Sequence, residues 1–392
     1  MSKNPKNILL IGYNWPLTAV RLPHLLRRAG NHVDAVFPKG FTVGNSKYLN
    51  RCFWTPANRK SFIQELNKVL DRKEHDVFVL TDEAVLKSLS QEPDLTCLKK
   101  MGCLPLDPEK LQSLYDKVAF TKLAQKESWP VPESETFTTP EDAIEYGRSS
   151  LGFPFIVKGA LGAGGASVQI FRSESDTRSI SDSLKKNGRC ALQRYITGDV
   201  GVTEAIYDRG KLIGMISSIK FRKRGGETSP SCSRKMVYHP KMAEVASRIG
   251  ETFGYSGFFG FDWILEAATN EIKVIELHGR APSGYNLGQR IEVNFGEIVK
   301  MIGSNAPDQI LMKSEYHGSV YSIFPQYLQY FEGISWEKKW ATFREDFPST
   351  KNKKFYDIPD LTDLIVFKSY REKIRRAKQK QKREVKQRRK AS

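Results

Sequence analysis

Phe153-Pro154-Phe155-Ile156-Val157-Lys158-Gly159-Ala160-Leu161-Gly162-Ala163-Gly164-Gly165-Ala166-Ser167 is the stretch on which the fold turns. The apolar run Phe153–Val157 reads as a strand that delivers Lys158 at its end. Four glycines in the seven positions 159–165 follow. Glycine lets the backbone approach an anion closely and turn several amide donors inward. A cation beside such a loop outlines a phosphate cradle. It is not a Walker A loop, because no Gly-Lys-Ser/Thr follows and the loop leads into another strand, Ser167–Phe171. A flexible hairpin loop with a solvated lysine is the plainer alternative.

Upstream, Ile8–Ile11 is a short apolar run ended by Gly12 and reads as a buried parallel strand. Helical spacing over Thr18–Ala29, a strand His32–Phe37, a helix Ser61–Leu70 and a strand Val77–Leu80 follow. This alternation predicts a small parallel α/β domain. Thr81-Asp82-Glu83 lies just past a strand end, where open α/β sheets place ligands, although a turn capping the next helix reads equally well. Gly12 alone makes no dinucleotide fingerprint.

Downstream, Ala191–Ile196, Val202–Tyr207, Leu212–Lys220, Phe259–Leu265 and Ile272–Leu277 read as strands, and Met242–Phe253 as a helix. Asp262 and Glu276 lie on consecutive strands joined by a turn at Thr269-Asn270, so an antiparallel pairing brings both acids to one face. Neighbouring carboxylates in an apolar sheet are costly unless a cation neutralises them, and Mg²⁺ bridging nucleotide phosphates is the natural occupant. His278 follows Glu276 with the strand period of two, and Arg280 extends the register towards a transferring phosphoryl group. Surface acids on a solvated hairpin and a hydrogen-bonded structural histidine are the plainer alternatives.

The order of these pieces resembles the ATP-grasp superfamily. Asp116-Lys117, the strand-borne Lys158, the loop Gly159–Ser167, the segment Leu192–Asp199, and Gly260–Trp263 with Glu276–Arg280 are similar to its successive motifs. The resemblance implies an α/β (α+β) ATP-grasp fold with an N-terminal parallel α/β domain (1–105). After it come linker helices with a small glycine-loop lobe (106–195) and a larger antiparallel-sheet lobe with the metal site (196–310). A C-terminal extension (311–370) and a basic tail (371–392) complete the chain. It also implies an ATP-dependent carboxylate–amine ligase that passes through an acyl phosphate and releases ADP and phosphate. Lys117 and Lys158 would hold phosphates beneath Gly162, Gly164 and Gly165. The backbone of Gln193, Arg194, Tyr195 and Ile196 would meet adenine, and Asp199 the ribose. Asp262 and Glu276 would hold Mg²⁺ or Mn²⁺ with His278 beside them, and Arg280, with Lys158, would stabilise the transferring phosphoryl group. His278 stands where the family usually has Asn, and Arg194 near where an acidic residue is common.

The formal charge is +18, from 62 Lys and Arg against 44 Asp and Glu. Residues 371–390 carry twelve basic and two acidic residues, a net of +10, so the tail supplies over half of the excess. It has no apolar stripe and is a candidate for polyanion contact, or a solubilising tail. An alternative reading follows, a nucleic-acid- or ribosome-associated ATP-binding protein with a degenerate site. Bicarbonate-dependent carboxyphosphate formation is a further one. Five cysteines without a CxxC pair read as reduced thiols. With no apolar run of about 20 residues, a cytoplasmic location is expected, with small carboxylate and amine substrates as partners.

Overall fold

The computed structural model describes residues 4–14, 18–162, 164–223, 227–304 and 309–324, with isolated positions between 326 and 375. The basic segment 371–390 lies outside the described residues apart from Arg375. Three sheets form the body.

The first joins β1 (Asn7–Ile11), β2 (His32–Pro38), β3 (Arg51–Thr55) and β4 (Val77–Leu80) in the order β3-β2-β1-β4, all parallel. Ile8 to Ile11 are completely buried, as a strand covered on both faces requires. The helical stretch expected at Thr18–Ala29 is a 3₁₀ turn, Thr18–Arg21, running into an α-helix, Leu22–Arg28. Pro23 stands in its first turn, where the missing N–H costs nothing. Strand β3, half-buried with an exposed arginine at its head, carries too little apolar alternation to have been expected.

The second sheet is antiparallel: β5 (Ser134–Phe137), β6 (Phe155–Gly159), β7 (Val168–Phe171) and β8 (Cys190–Arg194), in the order β5-β8-β6-β7. Phe155 and Phe171 stack at 5.2 Å in its own small core.

The third is built on β9 (Gly198–Asp208), β10 (Lys211–Lys223), β11 (Ser231–Met236), β12 (Gly257–Glu266) and β13 (Ile272–His278). Short strands β14 (Ile310–Leu311), β15 (Val320–Ile323) and β16 (Tyr356–Asp357) extend it. The order is β13-β12-β9-β10-β11-β15-β16, with β14 on β10. The helix Met242–Phe253, with the bounds the spacing predicts, buries Val245, Ala246, Ile249 and Phe253. The five cysteines are free. Among the described residues no helix is long and apolar enough to cross a membrane.

Two contacts fix the first sheet and the segment after β13 onto the third sheet. The Ala281 N–H donates to the Leu80 carbonyl at 2.9 Å. Tyr285, 1 % exposed, accepts from the Phe259 N–H at 2.9 Å. Its hydroxyl proton faces the carbonyls of Ala205 and Phe259, at 2.7 and 2.6 Å. Removing that hydroxyl leaves buried backbone groups unpaired. Tyr285→Phe is therefore expected to lower unfolding stability by about 1–2 kcal/mol, read as a reduced urea midpoint at unchanged slope. An unchanged midpoint would show that the hydroxyl carries none of the attachment.

Candidate active site

The second and third sheets face each other across a cleft of about 360 Å³. Strand alternation decides what lines it. On β9, Gly198, Val200 and Val202 face the cleft, so Asp199 between them is turned away. Ile156, Val168 and Ile170 from the small sheet and Val200, Ile264 and Ile275 from the large one make an apolar slot, and Gln193, Tyr195 and Ile196 lie at its edge. The other end is lined by charged side chains, among them Lys158, Lys220, Asp262, Glu276, His278 and Arg280.

Antiparallel register builds the charged end. Asp262 on β12 stands directly opposite Glu276 on β13 and Val202 on β9. The two acids therefore share one face, as their spacing implies. Each is matched by an ammonium group. Lys117 Nζ lies 3.1 Å from Glu276 Oε1, and Lys220 Nζ donates to Asp262 Oδ2. Lys158, 8 % exposed, reaches only a backbone carbonyl, that of Ile275, at 3.3 Å. Burial, reinforced by the neighbouring ammonium groups of Lys117 and Lys220, lowers the Lys158 pKa to about 8 despite the opposing pull of Glu276.

Lys117 opens the helix Lys117–Lys126, and Asp116 caps it by accepting from the N–H groups of Val118 and Ala119. The Lys117 N–H donates to the Ala160 carbonyl at 2.9 Å and its Nζ to the Gly162 carbonyl at 2.7 Å, so helix and glycine loop are tied together. Gly162, Gly164 and Gly165 have φ of +141°, +63° and +78°, values that side chains other than glycine rarely adopt. Gly164 and Gly165 line the cleft, and a Cβ on Gly165 would collide with Thr228 of the facing lobe.

His278 spans two acids. Its Nε2 lies 3.2 Å from Asp262 Oδ1 and its Nδ1 3.6 Å from Glu83 Oε1. Burial opposes the charge on the ring, but Asp262 and Glu83 outweigh it and hold the pKa at about 9. Arg280 Nη2 lies 2.6 Å from the same Glu83 carboxylate. Glu83 is thus the anchor from the first sheet. In the Thr81-Asp82-Glu83 turn, Asp82 caps the helix Glu83–Ser90 by accepting from Val85, the plainer of the two readings, and Glu83 lines the cleft.

Two of the expected residues direct their side chains away from the cleft. The Arg194 side chain turns out to Glu133 at 2.6 Å, and its N–H donates to the Glu133 carbonyl at 2.9 Å. The Asp199 side chain faces away from the cleft for the alternation given above. Glu204, Lys220 and Arg234 were not foreseen. Glu204 continues the Val200–Val202 face of β9 and is completely buried. Burial is the chief cause that pushes its carboxyl up to about 7, while Arg234 pulls the other way. A charged residue inside an otherwise apolar strand was the available signal for Glu204.

Oxygen donors from Asp262 and Glu276, paired across adjacent strands, suit a hard cation that draws most of its ligands from phosphate and water. Among the described residues no cluster of three His, Cys, Asp or Glu forms an all-protein cage.

Residues 114–283 match the ATP-grasp domain family. The chain is 25 % identical over 198 residues to the C-terminal section of the carbamoyl phosphate synthase large chain of Methanopyrus kandleri, covering 45 % of this chain and 35 % of that one. It thus spans about a third of that relative's length. Among solved structures, N5-carboxyaminoimidazole synthetase from Staphylococcus aureus complexed with ADP shares the fold, with TM-score 0.59, 15 % identity, and 80 % and 81 % of the two chains covered. L-amino acid ligase from Bacillus licheniformis does so with TM-score 0.57, 16 % identity, and 77 % and 74 % covered. The glycine loop, the paired acids and the lysines that meet them all fall within the matched residues, so the part of the chain that builds the charged end of the cleft is the part similar to the ATP-grasp domain.

Proposed function

We propose that the chain is an ATP-dependent carboxylate–amine ligase that phosphorylates a carboxylate and passes the acyl group to an amine. One observation carries the reading. Lys117, Lys158 and Lys220 converge on Asp262 and Glu276 at the charged end of a cleft whose other end is an apolar slot. The slot suits a purine, and three ammonium groups suit a triphosphate. The S. aureus neighbour's ADP and the amino-acid ligase fold are in keeping with this.

The chain's own groups account for the chemistry. Ile156, Val168, Ile170, Val200, Ile264 and Ile275 enclose the base, and Tyr195 and Ile196 border it. Lys117 and Lys220 exchange their carboxylate partners for phosphate oxygens, and Lys158 gains the anion that its site lacks. Asp262 and Glu276, parted from the lysines, would hold Mg²⁺, which would supply neutralisation of phosphate charge. Arg280, fixed by Glu83, and His278 face the oxygens on which charge develops as the carboxylate attacks. Gly164 and Gly165, packed over the cleft against the facing lobe, exclude water from an acyl phosphate that would otherwise hydrolyse.

Measuring ADP release by the full chain against pooled amino acids and small carboxylates is the direct test. ADP is expected only when a carboxylate and an amine are both present, with a new product by mass. Lys158→Ala and Glu276→Ala should each reduce the rate by more than about 100-fold. Activity retained in both variants would overturn the site.

The lowered pKa of Lys158 gives a second test. Below its pKa the ammonium form is unreactive, and above it the free amine reacts. Mass-mapped labelling with acetic anhydride should reach half its maximum near pH 8 at Lys158, whereas an ordinary lysine requires a pH near about 10. MgATP should protect this residue. A Lys158 profile like that of surface lysines would contradict the placement.

A further inference from the structure

Unpartnered polar atoms gather in one part of the cleft. Ser231 Oγ, Arg234 Nε and Gln326 Oε1 are buried there without a hydrogen-bond partner, and so are both carboxylate oxygens of Glu204 beside it. Native proteins leave few such atoms, and a cluster of them marks groups waiting for a ligand. The surroundings are connected. Arg234 on β11 is paired with Tyr321 on β15, Gln326 follows β15, and Arg21 from the first domain donates to the Phe324 carbonyl. Ser283 lines the same wall, and its neighbour Gly284 seats directly on Glu204, where a Cβ would collide with the carboxylate.

Arg234 is 5 % exposed and lines the cleft, and its guanidinium makes one long hydrogen bond, 3.4 Å to Ser218 Oγ. Arg234 is the charged group that acts most strongly on Glu204, yet neither Glu204 carboxylate oxygen has a hydrogen-bond partner. A buried guanidinium with an unpartnered Nε, beside a buried carboxyl with two unpartnered oxygens, is costly as it stands. A molecule carrying a carboxylate at one end and an ammonium at the other relieves both at once.

We infer that this part of the cleft is an acceptor subsite for an α-amino acid, with Arg234 holding the carboxylate and Glu204 the amino group. The inference rests on the ligase reading and names its amine substrate. The register sets the orientation. Glu204 lies opposite Gly260, which in turn lies opposite His278, so the row from Glu204 leads to the charged centre across a position without a side chain. The amino group on Glu204 therefore points towards the reacting acyl group. The carboxylate on Arg234, with the Arg21 guanidinium on the same wall, points away and is kept from being phosphorylated. Ser231 and Gln326 supply the remaining polar contacts.

The test is calorimetric titration of the full chain, saturated with MgAMP-PNP, with each of the twenty L-amino acids, their decarboxylated amines and their deaminated acids. At least one amino acid should bind, and its amine and acid analogues should bind more than about tenfold more weakly. Arg234→Lys keeps the charge but loses the planar fork. It should weaken the amino acid more than about tenfold and leave the amine analogue unchanged. Glu204→Gln should weaken the amino acid and leave the acid analogue unchanged. MgAMP-PNP affinity in the same samples is the folding control. If the chain binds MgAMP-PNP but no amino acid, or if both variants bind amino acids as the parent does, the subsite is wrong while the nucleotide reading stands. If the parent chain does not bind MgAMP-PNP, the ligase reading falls and this inference falls with it.

Discussion

Everything at the charged end of the cleft follows from burying more ammonium groups than there are carboxylates to meet them. Lys117 and Lys220 find Glu276 and Asp262, but Lys158 finds only a backbone carbonyl. A buried cation with no direct ion pair loses hydration that one backbone carbonyl replaces only in part. Its lowered pKa is the visible sign. A polyanion entering the cleft supplies the missing negative charge and frees both carboxylates at the same moment. Binding energy is thus stored as unmet electrostatic demand, in a region of low dielectric where each contact counts for more than in water.

The lobes around this centre are tied by groups of the candidate site itself. Lys117 holds both the glycine loop and Glu276, and Glu83 reaches from the first sheet to His278 and Arg280. Across the mouth, Glu227 of the large lobe accepts from the Tyr195 hydroxyl at 2.8 Å and pairs with Arg172 of the small one.

Much of this could be read from the sequence where the signal is local. The glycine loop, the helix Met242–Phe253 and the hairpin that sets Asp262 opposite Glu276 all depend on periods and turns within about thirty residues. Orientation at element edges was less legible. Strand β9 already begins at Gly198, so Asp199, expected at the ribose, stands on the face opposite Val200. Arg194, expected at the adenine through its backbone, sends its side chain to Glu133, 61 residues away. The same limit hid Glu83, whose partner Arg280 is 197 residues distant. Glu204, Lys220 and Arg234 lie on neighbouring strands of one sheet, and only the completed register places them together.

The most direct test of the central claim is a crystal structure of the chain with AMP-PNP and Mn²⁺, located by anomalous scattering. The account predicts a manganese peak between Asp262 and Glu276, with phosphate oxygens in contact with Lys117, Lys158 and Lys220 and the base between the two sheets. A nucleotide bound elsewhere, or a metal peak remote from both carboxylates while the lysines keep their present partners, would contradict it.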